Sequence, residues 1–204
     1  MTAAVERALP AGPATSARHP LLIATGSVVA AGTMLMFGML AVWFKFRDAS
    51  PLRAGKNGKM IHDWLPADLK IPEVATNTLA ITLVIAAIMG QWAVYSAKRA
   101  DSQHTTLALF ITGLVGVAAI NAQVAVYKQM GAVLADGAYH TMFYAITGTM
   151  LFLLCTGVAF SLIAAFRVLG GRVTDRAVVT SHSMYWYFLT TAFIAMWFVV
   201  YVQK

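Results

Sequence analysis

Histidines are the residues of this 204-residue chain that could most readily bind a metal ion or a haem. His19, His62 and His104 fall in or beside charged segments, whereas His140 and His182 stand near the beginnings of the fourth and fifth apolar runs. The two imidazoles in the runs would lie at opposite membrane faces, and a pair of haem ligands must lie at one depth. We therefore expect interfacial hydrogen bonds from His140 and His182, and no metal or haem bound by this chain.

Charged side chains inside a membrane form proton relays and ion pathways, but in this chain they all lie between the apolar runs. The chain has 15 Lys and Arg and 8 Asp and Glu, a formal net charge of +7. Because this charge belongs to loops and tails, it does not predict a nucleic acid partner. Cys155 is the only cysteine, which excludes an internal disulfide and a cysteine-based redox centre.

Five long apolar runs must position these side chains. The chain is 59% hydrophobic and 11% charged, against roughly 45–50% and 25% in soluble domains. Each run exceeds the roughly 20 residues that a spanning helix needs, and none shows the alternation of a barrel strand. We predict an all-α integral membrane bundle of five transmembrane helices, at about 21–44, 74–97, 105–127, 137–166 and 177–202.

The segments outside these runs predict the topology. Residues 1–20 are predicted to form a disordered cytoplasmic tail, and residues 21–204 a single five-helix membrane domain. Basic residues in short loops favour the cytoplasmic side, which gives a cytoplasmic N-terminus, an external C-terminus and an external loop at about 45–73. Within that loop, Trp64 to Pro66 indicates a segment lying on the membrane surface or on a partner.

Uncharged polar and small residues inside the spans are the remaining candidates for a site. In lipid such residues favour hydrogen bonds across helices or close helix approach. We interpret them as packing residues, with a ligand or quinone site as the alternative. The helix-packing or polar interior candidates are Thr33, Asn77, Gln91, Asn121, Gln123, Gly148 and Trp186. Gly113, Gly116 and Gly157 also favour close approach.

Several short blocks stand in an order and spacing that indicate a family. The blocks are Pro72 to Thr78, Trp92, Asp136 to Tyr139, Tyr185 to Phe188 and Trp197 to Tyr201. Together they resemble subunit III of the haem-copper terminal oxidases, of which cytochrome c oxidase is one, in its short five-helix bacterial form. The resemblance runs through most of residues 22–204.

Three positions depart from the family pattern. The family's membrane-buried glutamate aligns with Thr33, two histidines of the fourth span are replaced around Met150 to Leu154, and the histidine after the Tyr-Trp pair is Tyr187. These differences argue against a glutamate-dependent role of this chain in proton uptake. They also leave open a subunit-III-like accessory protein of nitric oxide reductase.

The resemblance implies an accessory subunit of an aerobic respiratory oxidase in the bacterial inner membrane. Such a subunit binds no haem or copper itself; these lie in partner subunits. It contacts phospholipids, packs against the catalytic subunit I and other oxidase subunits, stabilises subunit I and sustains its oxygen reduction. A small independent transporter and a membrane enzyme with its own haem are further alternatives.

Overall fold

Five long helices make up most of the protein. The computed structural model describes residues 20–55, 58–66, 69–131, 134–172 and 176–203. Each helix is long and apolar enough to cross a membrane, which confirms the predicted all-α bundle. Of the predicted tail, residues 1–19 lie outside the described residues, and Pro20 is already helical. The helices are α1 (Pro20–Ala49), α2 (Glu73–Lys98), α3 (Ser102–Met130), α4 (Ala138–Leu169) and α5 (Arg176–Met196).

The helix ends follow from local side-chain chemistry. Helix α1 continues to Ala49, past the predicted end at Phe44, because charged residues interrupt an apolar run without interrupting the backbone hydrogen bonds of a helix. Asp101 caps α3 by accepting a hydrogen bond from the His104 backbone N–H at 3.1 Å. Gly131 ends α3 in the left-handed conformation, with φ of 59°, which glycine adopts without steric cost.

The last span changes its winding near its end. After Met196, α5 continues as a π-helical turn over Trp197–Val202. A π-turn bonds each residue to one five positions away, so it changes which side chains face the core. Val200 and Tyr201 are buried in this turn, and Tyr201 thereby becomes available to α3.

The predicted external loop contains a small β-hairpin that the sequence did not predict. Strands β1 (Leu52–Ala54) and β2 (Met60–His62) pair antiparallel, with Arg53 opposite Ile61. The Arg53 guanidinium also lies 2.8 Å from an oxygen of Asp63, just beyond β2. Strands of three residues are too short to show a recognisable alternation of apolar and polar side chains.

Trp64 packs on the protein itself; the expectation that its segment lies on the membrane surface or on a partner stays a prediction. Its side chain is 6% exposed. The Trp64 ring lies 5.0 Å from that of Trp43 and 5.5 Å from that of Tyr139, between ring centroids. The loop is therefore anchored to the end of α1 and the beginning of α4.

Helix α5 lies at the centre of the bundle. It packs against α1, α2 and α4, while α3 packs against α2 and α4. About 56% of the most apolar stretch of α5 is buried, against 17% for α1. Helix α1 is therefore peripheral, and the side chains of α5 are the ones surrounded by other helices.

Candidate functional site

Trp186 is the centre of a buried polar cluster in the bundle. Its side chain is fully buried, and its indole N–H donates to Ser161 Oγ on α4 at 3.0 Å. His182, one turn earlier on α5, places Nε2 2.7 Å from the same oxygen. Ser161 Oγ in turn donates to the Gly157 carbonyl at 3.0 Å. One hydroxyl thus joins two residues of α5 to α4.

The hydrogen-bonding capacity of Ser161 links the tautomer of His182 to the direction of the Ser161 proton. A hydroxyl offers one proton and two lone pairs. The Ser161 oxygen accepts from Trp186, and when its proton is directed to Gly157 it also accepts from His182, which then carries its proton on Nε2. Nδ1 of His182 is buried and has no hydrogen-bond partner among the described residues. This arrangement suits a structural link between helices.

Glycines make room for Trp186. A Cβ on Gly116 of α3 would lie 2.6 Å from the Trp186 ring, and one on Gly157 of α4 would lie 3.4 Å from it and 2.8 Å from Leu189. Contacts below 3.0 Å require neighbouring atoms to move. Small residues at these two positions therefore let α3, α4 and α5 approach closely around one indole.

Gln123 belongs to a second buried cluster, on the other half of α3. Its amide donates to the Tyr201 hydroxyl of the π-turn at 3.3 Å. One turn along α3, the Tyr127 hydroxyl donates to Thr147 Oγ1 of α4 at 2.9 Å. Thr147 Oγ1 itself donates to the Phe143 carbonyl at 2.6 Å. This cluster joins α3, α4 and the end of α5.

Thr33 lies on a groove between α1 and α5, apart from both clusters. It is half-buried, and its hydroxyl donates to the Val29 carbonyl of its own helix at 2.8 Å. The groove has a volume of about 290 Å³ and an apolar lining that includes Phe37 and Phe188. Beyond Tyr187, which also lines the groove, lies Gln91, whose exposed side chain accepts a hydrogen bond from the Tyr187 hydroxyl.

The remaining candidates lie at the surface of the bundle. Asn77 accepts a hydrogen bond from the Trp197 indole at 3.1 Å, on the exposed side of α2 and α5. Asn121 is exposed on α3. Around Gly148 a Cβ would meet nothing within 4 Å, so the helices of this chain make no close approach there. The seven candidates therefore do not form one site.

His182 and His140 lie far apart and in different surroundings. His182 is fully buried, which corrects the expectation of an interfacial histidine: seven residues into α5 it already faces α4. Its partner Ser161 lies 21 residues after His140 on α4, a rise of about 30 Å. His140 is 7% exposed near the beginning of α4. Two imidazoles this far apart cannot ligate one haem.

Hydroxyls, one amide and two imidazoles make up the buried polar side chains of the described residues; Asp, Glu, Lys and Arg are absent from that buried set. Within the same part of the chain, no three His, Cys, Asp or Glu side chains gather closely enough to hold a metal ion. This set of groups can link helices by hydrogen bonds. A proton relay through the membrane uses a chain of neighbouring Asp, Glu or His side chains, whereas the only such groups in this buried set, His140 and His182, lie far apart.

Ser161 and Tyr201 are the important residues that sequence reasoning did not single out as candidates. Ser161 is one of many hydroxyl residues in the spans, and its partners stand 21 and 25 positions away. Tyr201 lies at the end of its run, where aromatic residues are common at the membrane interface. A helical wheel for α5 places Trp186 and His182 on one face, but it cannot tell which hydroxyl on another helix meets them.

Comparison with known proteins identifies the family of this chain. The sequence profile of "Cytochrome c oxidase subunit III" matches residues 20–204. Proteins named "Probable cytochrome c oxidase subunit 3" from Mycobacterium bovis and Mycobacterium tuberculosis are each 24% identical to this chain. The similarity extends over 193 residues, 91% of this chain and 90% of each relative.

The matched region begins with α1 and includes all five spanning helices. The resemblance deduced from Pro72 to Thr78, Asp136 to Tyr139 and Tyr185 to Phe188 is thereby confirmed at the level of the family. This multi-pass membrane chain belongs to the cytochrome c oxidase subunit III family of the haem-copper oxidases.

Proposed function

We propose that this chain is an accessory, non-redox subunit of a terminal oxidase of the cytochrome c oxidase type. It packs against the catalytic subunit I, stabilises it and sustains its oxygen reduction. Haem and copper reside in the partner subunits. The complex lies in a bacterial inner membrane, with the N-terminus of this chain in the cytoplasm and its C-terminus outside.

The composition of the buried polar clusters is the observation that carries this proposal. Ser161, His182 and Trp186 satisfy one another across α4 and α5, and Gln123 pairs with Tyr201 across α3 and α5. Polar side chains that hydrogen-bond to one another between helices hold those helices together. A rigid scaffold of packed spans suits a subunit whose task is to stabilise a catalytic neighbour.

The names of the relatives support the choice of complex. The Mycobacterium proteins are named as probable oxidase subunits, and their similarity to this chain covers 91% of it. Phospholipids fit the peripheral surfaces of the bundle, such as the apolar groove between α1 and α5. Thr33 on that groove has only its own helix as a partner, so it offers no replacement for a buried glutamate.

Purification in mild detergent tests the proposal. The chain is tagged at its C-terminus, isolated from native membranes and examined by absorption spectroscopy and mass spectrometry. We expect a-type haem, copper and a catalytic oxidase subunit in the eluate. A matched isolation of the chain expressed without the other oxidase genes is expected to yield a folded protein with no haem band.

Each rival function predicts a different result from the same experiment. Recovery of a nitric oxide reductase in place of an oxidase would favour the accessory protein of that enzyme. A haem band in the isolated chain would overturn the non-redox role. Solute uptake by the chain alone in liposomes would favour the independent transporter.

A further inference from the structure

Asn121 places an amide on the outer surface of the bundle. It lies on α3, nine residues before the end of the helix at Met130, which is a rise of about 13 Å. Its side chain is exposed and makes no hydrogen bond within the described part of the chain. The side chain is too short to reach the polar headgroups from this depth.

Two other exposed polar side chains in the spans, Thr156 and Gln91, have partners within the protein. The Thr156 hydroxyl on α4 donates to the Phe152 carbonyl of its own helix at 3.1 Å. Gln91 on α2 accepts from the Tyr187 hydroxyl. The amide of Asn121 offers two donors and an acceptor, and lipid tails can satisfy none of them. The amide therefore points to a polar partner outside this chain.

The residues around Asn121 suit a contact with another helix. Leu114 and Val117, seven and four residues before Asn121, are 69% and 50% exposed. Ala118, one turn before Asn121, is also exposed and is small enough for a neighbouring helix to approach closely. We call these four residues the α3 contact face. It lies away from α2 and α4, against which α3 packs within this protein.

We infer that the α3 contact face packs against a transmembrane helix of another oxidase subunit, and that Asn121 hydrogen-bonds to a polar side chain on that helix. The inference rests on the proposed function, because it assigns the partner helix to the oxidase complex. It adds to that function by naming the surface and the residue through which the subunits join.

Replacement of the amide tests the hydrogen bond. In the intact complex, Asn121→Leu is expected to lower retention of this chain during detergent washing by about three- to tenfold, the range for one interhelical hydrogen bond in a membrane. Thr156→Val is the matched control, since its hydroxyl bonds to its own helix, and it should leave retention unchanged. Equal retention of both variants would contradict the inference.

Photocrosslinking identifies the partner. A photoreactive amino acid at Leu114 should crosslink to a subunit of the oxidase, identified by mass spectrometry, whereas one at the equally outward Ile163 of α4 (59% exposed) should crosslink to lipid. Crosslinks from position 114 only to lipid, or only to a second copy of this chain, would overturn the inference. If no oxidase subunit copurifies with the unmodified chain, the proposed function itself fails, which is a different result.

Discussion

Ser161 is the residue on which the centre of this bundle depends. Its hydroxyl meets the Trp186 indole at 3.0 Å and the His182 imidazole at 2.7 Å. These three side chains are buried, so a donor that loses its partner here cannot turn to water. The penalty for an unpaired buried donor exceeds the net gain from a typical hydrogen bond.

Ser161→Ala should therefore destabilise the protein. The Trp186 N–H would remain buried without an acceptor, which costs about 1–3 kcal/mol. The free energy of unfolding of the purified chain, measured by denaturant titration in detergent, should fall by this amount. Ser27→Ala is the control: its exposed hydroxyl bonds to the Ile23 carbonyl of its own helix, and its loss should cost less than about 0.5 kcal/mol. Equal losses would contradict the role of Ser161.

Gly116→Ala tests the close approach of α3 to Trp186. The added methyl would lie 2.6 Å from the Trp186 ring and 2.7 Å from Val158, and overpacking of this kind costs about 1–3 kcal/mol. Gly148→Ala adds the same methyl where no atom lies within 4 Å. Thermal unfolding should show a lower Tm for the first variant alone. An unchanged Tm for Gly116→Ala would disprove the close packing.

Residue types were easier to predict than residue partners. Trp186 and Gln123 were recognised as interior candidates because large or polar side chains inside an apolar run need an explanation. Their partners could not be predicted, because the rotation of each helix about its axis depends on packing that one sequence does not specify. The π-turn of α5, which turns Tyr201 towards Gln123, has no local sequence signal that we could identify.

The helices themselves were predictable because each span is a long uncharged segment with clear boundaries. Predicted and observed ends of α2 differ by one residue, whereas α1 runs five residues further, to Ala49. The hairpin of β1 and β2 was missed because three-residue strands carry too little pattern. The packing of Trp64 on Trp43 was missed because it joins a loop to a helix end.

The beginning of α3 should respond to acid through Asp101. The backbone N–H of His104 donates to this carboxylate and lowers its pKa, and the His104 side chain lowers it further. A lowered pKa in the folded protein means that the carboxylate stabilises the fold above its unfolded pKa of about 3.9, and that this stability is lost as the pH falls through the lower folded value.

Asp101→Asn should abolish this dependence while keeping an N-cap. Thermal unfolding of the wild-type protein between about pH 5 and pH 2 should show a decline in Tm that is shallower in the variant. Asp48→Asn removes a carboxylate at the opposite end of the bundle as a control. Parallel pH profiles for wild type and Asp101→Asn would count against the cap.

Trp64→Ala should release the loop between α1 and α2. Truncating a buried tryptophan lowers the free energy of unfolding by about 3–5 kcal/mol. Here the contacts that are lost are those with Trp43 and Tyr139. Limited trypsin digestion should then cleave after Arg53 or Lys59 at least about tenfold faster. Met60→Ala, at a residue that is 61% exposed, should leave the cleavage rate unchanged. Slow cleavage of the Trp64 variant would show that other contacts hold the loop.

At the scale of the molecule, the composition and the family are consistent with the proposed supporting role. The 15 basic and 8 acidic residues lie outside the predicted spans, and the buried side chains of the described residues include no carboxylate or amine. The polar clusters join α3, α4 and α5, and Asn121 offers a polar contact to a neighbour. We propose that a bundle built in this way stabilises an adjacent catalytic subunit.

Turnover of the oxidase with and without this chain tests that role most directly. Membranes from cells that lack only this chain, and from the same cells with the gene restored, are compared for oxygen consumption over time with equal amounts of catalytic subunit. We expect similar initial rates, with an earlier loss of activity where the chain is missing. Activity that declines at the same rate in both membranes would contradict the account.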